Sequence, residues 1–238
     1  MKTKGMYLLA PIVFICLFST NLLADEVKTE NKAVEEFNSI SISVGAKIEF
    51  YQGNKTEVIL NGEEHLLDDI VTKVRNNKLI IRYNKPFSFS KSTKEIKIKI
   101  STPEVEEISI SGSADLLAKT DIKTKNMELN ITGSGEIHIG NLLSDEIDAE
   151  ISGSGAIKLA GSKTTENLDV DITGSGDFES KNLKVNFATI DISGSGSCKI
   201  FANKKIKANI TGSGNAKYKG NASIDASISG SGKIRSID

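Results

Sequence analysis

The sequence has few of the side chains that stabilise or functionalise many small exported domains. It contains two cysteines and no tryptophan, and aromatic residues make up 5% of its 238 residues. Cys16 lies in an apolar N-terminal segment, so removal of that segment leaves Cys198 without an intrachain disulfide partner. The shortage of rings argues against aromatic stacking platforms for sugars or bases. Stability must therefore come from apolar burial and backbone pairing.

The chain also lacks an excess of charge of either sign. Lysine and arginine total 30, against 31 aspartates and glutamates, which gives a formal net charge of −1. If Lys2 and Lys4 are removed with the N-terminus, 28 basic residues remain against 31 acidic ones, so the net charge becomes −3. This balance offers no attraction for nucleic acid, and no nucleic-acid partner is expected.

The N-terminus has the layout of a secretory signal peptide. Two lysines precede a mostly apolar run over residues 6–23, and Ala24 is followed by an acidic pair. Pro11 and the polar residues 19–21 interrupt the run, which favours cleavage after residue 24 over a retained membrane anchor. Lipid modification of Cys16 is the other alternative, but the bulky Ile15 before it is atypical of lipoprotein signals. We expect export to the periplasm, cell surface or medium, without a transmembrane segment in the mature chain.

A five-residue motif, Ile-Ser/Thr-Gly-Ser-Gly, recurs through the second half of the sequence, with alanine in place of the last glycine in the first copy. Successive copies are 21, 20, 21, 20, 18 and 18 residues apart. A nearly constant period is typical of solenoid architectures. The seven copies begin at Ile110, Ile131, Ile151, Ile172, Ile192, Ile210 and Ile228.

Apolar residues alternate with polar ones around every copy. The position two residues before the motif isoleucine is always apolar, whereas the residues on either side of it, such as Asp169 and Asp171, are mostly polar. This period of two is that of a strand with one buried face. The stretches between motifs are rich in glycine, serine, asparagine and β-branched residues, which excludes the helices of a leucine-rich repeat. We therefore predict an all-β, right-handed parallel β-helix or solenoid of about seven short coils over residues 108–238.

The glycines of the motif predict a corner in each coil. The chain must leave one side of the coil and begin another within a few residues, and glycine adopts positive φ without steric cost. The predicted corner glycines are Gly133, Gly135, Gly153, Gly155, Gly174, Gly176, Gly194, Gly196, Gly212, Gly214, Gly230 and Gly232.

Residues 37–107 are also β-rich but irregular, and residues 25–36 are predicted to be a flexible linker. Short alternating runs predict several strands, and residues 64–72 place four apolar side chains on one face of a possible helix. Gly53-Asn54 and Asn76-Asn77 are typical of hairpin turns. We expect this leader to cap the first coil, because the end of a solenoid otherwise exposes core and strand edges.

The sequence resembles a known bacterial family. The leader stretches SISISVGAKIEFYQG, NGEEHLLDDIVTKVRNNKLIIRY and KIKISTPEVEEISISGSADL, continuing into the ISGSG units, are similar to the GIN head domain of autotransporter adhesins. The resemblance covers residues 37–238 and implies a secreted β-solenoid at the envelope or surface. An autotransporter also carries a C-terminal membrane domain, for which the sequence up to Asp238 leaves no room, so self-transport is not expected.

Catalytic chemistry has weak support in the sequence. His65 and His138 are far apart in sequence, and Cys198 falls in an apolar column, so no catalytic residue, metal site or cofactor is predicted. The strongest candidate is an acidic strand face that could bind a ligand or cation, or support paired-carboxylate chemistry on glycans, although a solvated outer face is the simpler interpretation. Its residues are Asp148, Glu150, Asp169, Asp171 and Asp191.

The function predicted from the sequence is that of a non-enzymatic envelope or surface protein. The rigid repetitive tower would act in adhesion or as a scaffold, with an unknown protein or glycan as its partner. The alternative is a carbohydrate-binding or carbohydrate-active protein that uses the acidic face. End-to-end self-association is a further possibility, because no cap is evident around Ile228 and Ile234.

Overall fold

The computed structural model of the chain describes residues 27–84 and 95–237, so the predicted signal peptide at residues 1–24 lies outside them. Before the repeat region, the described residues contain seven strands and one short helix. In chain order these are β1 (Val27–Lys32), β2 (Ser39–Ser43), β3 (Lys47–Gln52), β4 (Glu57–Glu63), α1 (Glu64–Asp68), β5 (Ile70–Arg75), β6 (Lys78–Tyr83) and β7 (Lys97–Thr102).

The repeat region consists entirely of strands and connecting turns. Two of its strands are long because each continues from one side of the coil to the next. The strands are β8 (Glu107–Gly112), β9 (Asp115–Ala118), β10 (Ile122–Lys123), β11 (Asn126–Gly133), β12 (Glu136–Ile139), β13 (Leu142–Leu143), β14 (Glu146–Gly153), β15 (Ala156–Ala160), β16 (Thr165–Gly174), β17 (Asp177–Gly194), β18 (Ser197–Gly212), β19 (Asn215–Lys219), β20 (Ser223–Gly230) and β21 (Lys233–Ser236).

The strands stack in parallel into the sides of a solenoid. The repeat side carries the motif and runs β8, β11, β14, β16, the second parts of β17 and β18, and β20. A second side, which we call the groove side because its outer face carries a surface groove, runs β9, β12, β15, the first parts of β17 and β18, β19 and β21. The predicted parallel solenoid is confirmed, with about six turns rather than the predicted seven or so.

The motif isoleucines lie directly above one another in this register. Ile131 pairs with Ile151, and Ile151 pairs with Ile172, in strands about 4.8 Å apart. All three side chains are at most 1% exposed. Each such burial stabilises the fold by about 1.5–3 kcal/mol before conformational entropy is counted. The inward columns therefore form one continuous apolar core.

The two glycines of each motif serve different purposes. The first glycine has positive φ in every described copy, from +112° at Gly174 to +127° at Gly153. The second glycine does not, but a Cβ at Gly176 would lie 2.4 Å from Ile151 Cγ2. The positive-φ prediction is thus wrong for the second glycines, which are required by close packing. These are Gly135, Gly155, Gly176, Gly196, Gly214 and Gly232, whereas the first glycines are Gly133, Gly153, Gly174, Gly194, Gly212 and Gly230.

The leader continues both sides of the solenoid. On the repeat side β2 pairs in parallel with β8 and with β6, and on the groove side β3 pairs in parallel with β9 and with β7. Antiparallel strands then end the stack, with β5 on β6 and β4 on β7. The leader therefore adds parallel strands to the solenoid before its antiparallel strands finish that end.

Three local expectations for the leader need revision. The helix ends at Asp68, because Ile70 and Val71 enter β5, which pairs with β6. The turn at Gly53-Asn54 does not form a hairpin, since β3 and β4 lie on opposite sides of β7. Residues 27–32, expected in a linker, form the edge strand β1 on β4. This strand is polar on both faces and so has no hydrophobic period.

The second predicted turn does form a hairpin. Asn76 and Asn77 connect the antiparallel strands β5 and β6 and have φ of +51° and +58°. Asparagine tolerates this left-handed region better than most residues, and two successive positive φ values match the twist of a two-residue hairpin. The hairpin prediction is confirmed at this turn.

Candidate functional site

The acidic face predicted from the sequence lies on the outer surface of the repeat side. Asp148 pairs with Asp169, and in the next column Glu150, Asp171 and Asp191 follow one another in register. Successive carboxylates in a column therefore sit on strands about 4.8 Å apart. All five residues alternate with buried apolar neighbours and point away from the core. The parallel register brings the predicted residues together.

Two further carboxylates extend the first column of the acidic face. Glu128 pairs with Asp148, and Glu107 pairs with Glu128, so four acidic residues stand in line. Reading single strands misses this extension, whereas aligning the repeats by their glycines places both glutamates in the column. Lys78 forms an ion pair of 2.7 Å with Glu107 at the leader end.

Asparagines flank the carboxylates at the ends of the second column. Asn130 Nδ2 donates a hydrogen bond of 2.7 Å to Glu128, and Asn209 Nδ2 donates one of 2.7 Å to Asp191. An amide donor beside a carboxylate supplies a hydrogen bond without a positive charge. The acidic face is therefore bounded by neutral side chains in its second column.

Burial and like charge act together on the central carboxyls. Burial between the neighbouring coils raises the pKa of Asp148, and the negative charges of Asp169, Glu128 and Glu150 raise it further. Burial is also the largest cause of the raised pKa of Asp171, followed by the charge of Asp191. Partial desolvation thus raises the pKa of both carboxyl groups, and the neighbouring like charges add to the shift.

The carboxylates of the acidic face do not point toward a common centre. Side chains on one sheet face point in the same direction, so stacked carboxylates lie side by side. Within residues 27–84 and 95–237, no group of three or more histidine, cysteine, aspartate or glutamate side chains is arranged to hold a metal ion. Asp148 and Asp169 instead line one wall of a shallow depression of about 580 Å³ that extends to Ser39 and Asn167.

A second concave surface lies on the groove side. It is a groove of about 590 Å³ across the outer faces of β4, β7, β3, β9 and β12. The central row of side chains runs Ile59, Lys99, Glu49, Leu117 and His138 from strand to strand. Leu117 is 39% exposed and points outward into this row. The groove therefore mixes apolar side chains with charged ones along the same row.

The charges around the groove are mostly paired. Lys47 forms an ion pair of 2.8 Å with Glu95, Lys99 forms one of 3.0 Å with Glu57, and Lys158 pairs with Glu136. Hydrogen bonding to Glu95 raises the pKa of Lys47. Opposite charges thus alternate here, in contrast to the acidic face.

Sequence reasoning missed the groove because its walls come from leader strands whose order is not evident in the chain. His138 does point outward, as expected, but it lies in the lining of the groove. The one available signal was Leu117, an apolar residue at an outward position in the alternating Asp-Leu-Leu-Ala of β9.

The predicted core role of Cys198 is confirmed. Its side chain is fully buried between Phe178 and Ala216 in an inward column of the groove side. Burial raises the pKa of the thiol, because the thiolate would lose its hydration. A neutral thiol in the core is a poor nucleophile.

Comparison with known proteins identifies the family. The profile described as "Putative auto-transporter adhesin, head GIN domain" matches residues 36–222. The chain belongs to this family. The comparison with curated proteins found no match. The resemblance seen in the sequence is therefore confirmed.

Several solved structures of bacterial proteins share the fold. A putative adhesin from Bacteroides fragilis is 28% identical, with a TM-score of 0.85, and the match covers 90% of this chain and 98% of that one. A putative lipid binding protein from Parabacteroides distasonis is 25% identical, with a TM-score of 0.73 and the same coverage. A putative adhesin from Parabacteroides distasonis, 20% identical with a TM-score of 0.72, is similar in fold. Among the described residues, none forms a helix of the length and apolarity needed to span a membrane.

Proposed function

We propose that this GIN-domain protein is exported and acts at the cell envelope or surface as an adhesin-like binding module without catalysis. The observation that carries the proposal is the continuous parallel register of β7, β3, β9, β12 and β15 on the groove side. Each outward side chain is held by two neighbouring coils, so the surface is preorganised and loses little entropy on binding. The family and its adhesin relatives support the same role.

The groove is the proposed contact surface for the partner. The exposed Leu117 and the half-buried Ile59 supply apolar area, and the ion pairs of Lys47 and Lys99 supply polar groups beside it. A mixture of apolar and polar side chains is the usual composition of a non-obligate protein-recognition surface. The proposed partner is an envelope protein or glycan. Lipid is tested as a third class of ligand, because one 25% identical relative is described as a putative lipid binding protein.

The acidic face supports a second candidate, a glycan-binding or glycan-cleaving site. The specific observation in its favour is the in-register pair Asp148 and Asp169, with the raised pKa of Asp148. Carboxyl groups about 5 Å apart, one of them holding a proton more readily, are the requirement for retaining glycoside hydrolysis. The shallow, open depression around them gives little enclosure for a distorted sugar ring.

One binding experiment separates the two surfaces. The purified chain is titrated against immobilised envelope glycans, phospholipid vesicles and envelope proteins, and each glycan is afterwards analysed for new reducing ends. We expect saturable binding to one class without cleavage. Leu117→Lys should weaken that binding at least tenfold, whereas the double variant Asp148→Asn/Asp171→Asn, which alters only the acidic face, should leave it unchanged.

The opposite outcomes are equally clear. Glycan cleavage that disappears in the aspartate double variant would replace the proposal with the enzyme. Absence of binding to all three classes would overturn it. Export is measured separately by fractionation and N-terminal sequencing, for which we expect envelope or medium localisation and a mature N-terminus after Ala24. A cytoplasmic chain that retains residues 1–24 would contradict the export proposal.

A further inference from the structure

The last coil exposes residues that are buried everywhere else in the stack. Ile224 and Ile228 continue the inward columns of Ile206 and Ile210, with which they pair directly. The two earlier isoleucines are at most 1% exposed, whereas Ile224 is 37% and Ile228 is 40% exposed. The side chains point inward as in the other coils, and they are exposed because no further coil covers them within the described residues.

The same strand also has an open backbone edge. Within the described part of the chain, β20 pairs with β18 and with no strand on its other side. An open edge next to exposed isoleucine is a template for another strand. The surface therefore presents both backbone groups and apolar side chains to a partner.

The sequence of β20 is suited to pairing with a second copy of itself. In an antiparallel pair centred on Ala226, Ile224 lies opposite Ile228 of the second copy, and all inward residues stay on one face. Asp225 then lies opposite Ser227 rather than opposite another Asp225. A pair centred on Asp225 would place the two Asp225 carboxylates opposite each other. A pair centred between Asp225 and Ala226 would place Ile224 opposite the polar Ser227.

We propose that two copies of this chain associate tail to tail through antiparallel pairing of their β20 strands. The twofold contact is closed, because one edge is used by both copies. It covers Ile224 and Ile228 of each copy and continues the two apolar cores into each other. The proposal does not depend on the ligand of the groove, which lies on another side of the solenoid.

The leader end is less suited to accept β20. Its edge strand β5 places Thr72 between Ile70 and Val74 in the inward column, and the buried Thr72 hydroxyl has no hydrogen-bond partner among the described residues. A head-to-tail contact would also repeat without closing and would produce filaments. Mass measurements distinguish this arrangement from a dimer.

The first test is the molar mass of the purified chain by sedimentation equilibrium over a wide concentration range. We expect a reversible monomer–dimer equilibrium. The double variant Ile224→Lys/Ile228→Lys should shift the dissociation constant upward at least a hundredfold. Leu117→Lys is the matched control, since Leu117 has similar exposure but lies in the groove, and it should dimerise normally.

The second test fixes the register. Ala226→Cys, in a Cys16→Ser background, places one thiol opposite its copy at about 5 Å between Cα atoms, within disulfide range. Ser227→Cys is the control, because its opposite residue is Asp225. We expect mild oxidation to cross-link the Ala226 variant much faster than the control. A chain that stays monomeric, grows beyond dimers, or cross-links equally at both positions would overturn the proposal.

Discussion

The leader and the repeat coils build the same core by different means. In the coils, each corner uses a glycine at positive φ whose carbonyl lies against the next glycine, so a Cβ at Gly133 would lie 2.6 Å from Gly112 O. Gly112 ends β8, whose neighbour on the leader side is β2, and a Cβ at Gly112 would meet nothing within 4 Å. Stacking identical corners thus creates the steric demand for glycine, beyond the demand for positive φ.

The largest effect should come from breaking a corner inside the stack. Gly174→Val combines an unfavourable φ of +112° with a Cβ 2.6 Å from Gly153 O. Strain and overpacking together should lower the free energy of unfolding by about 4 kcal/mol. The leader control is Gly45→Ala, whose Cβ would lie 3.3 Å from the Ser113 hydroxyl oxygen and whose φ is not positive. Urea unfolding of both variants measures the difference, and equal losses would refute the corner argument.

The second largest loss of stability should come from truncating a buried side chain of the short helix α1 in the leader. Leu67 is fully buried beneath the antiparallel end of the stack. Leu67→Ala should cost about 3 kcal/mol through lost burial and a residual cavity. Leu117→Ala, at 39% exposure, serves as the control and should cost less than about 1 kcal/mol. If thermal unfolding gives similar losses for both, the leader does not cap the core as described.

A smaller effect of opposite sign is expected on the acidic face. The folded state raises the pKa of Asp171, so this group favours folding most at acidic pH and loses that contribution as pH rises through the folded-state pKa. Asp171→Asn should therefore stabilise the chain near neutral pH by about 0.5 kcal/mol, since it removes a carboxylate directly opposite two others. Below the unfolded-state pKa the variant and parent should unfold alike.

Ion-paired Asp145 is the control for this measurement. Lys163 Nζ lies 2.5 Å from its carboxylate, so Asp145→Asn should be neutral or slightly destabilising near pH 7. Salt should reduce the gain in Asp171→Asn, because it screens the repulsion. A neutral-pH loss of stability in Asp171→Asn would contradict the electrostatic description of the acidic face.

The last prediction concerns the reactivity of the buried Cys198 thiol, which reports on core packing without any substitution. Cys198 is fully buried between Phe178 and Ala216, and burial raises the pKa of its thiol. A thiol reagent should therefore label it only at the rate of unfolding, whereas unfolded protein should react at once. Rapid labelling of folded protein would show that the groove-side column opens locally.

The regular part of this fold was predictable because its information is local and repeated. The motif period and the alternation around Ile151 or Ile172 determine both the strands and their inward faces. Counting from the glycines also aligned Asp171 with Asp191. Aligning successive copies of the motif gives the parallel register directly, so no knowledge of long-range contacts is needed.

The leader was predicted less well because its contacts join residues that no period relates. The pairing of β4 with β7 rather than with β3 depends on tertiary packing, and so does the transfer of Ile70 from a helical pattern into β5. The groove combines strands from leader and coils, and therefore only the exposed Leu117 marked it in the sequence. The edge strand β1 has no apolar alternation by which to recognise it.

The most direct test of the stacked architecture is amide hydrogen exchange in the native state. Amides of β11, β14 and β16, which bond to coils on both sides, should exchange only through global unfolding, while the β20 amides that face its open edge should exchange fastest in monomeric protein. Slow exchange across β11, β14 and β16 together with a fast outer edge of β20 is the predicted result. Fast exchange throughout β14 and β16 would contradict the rigid, in-register solenoid on which the proposed binding surface depends.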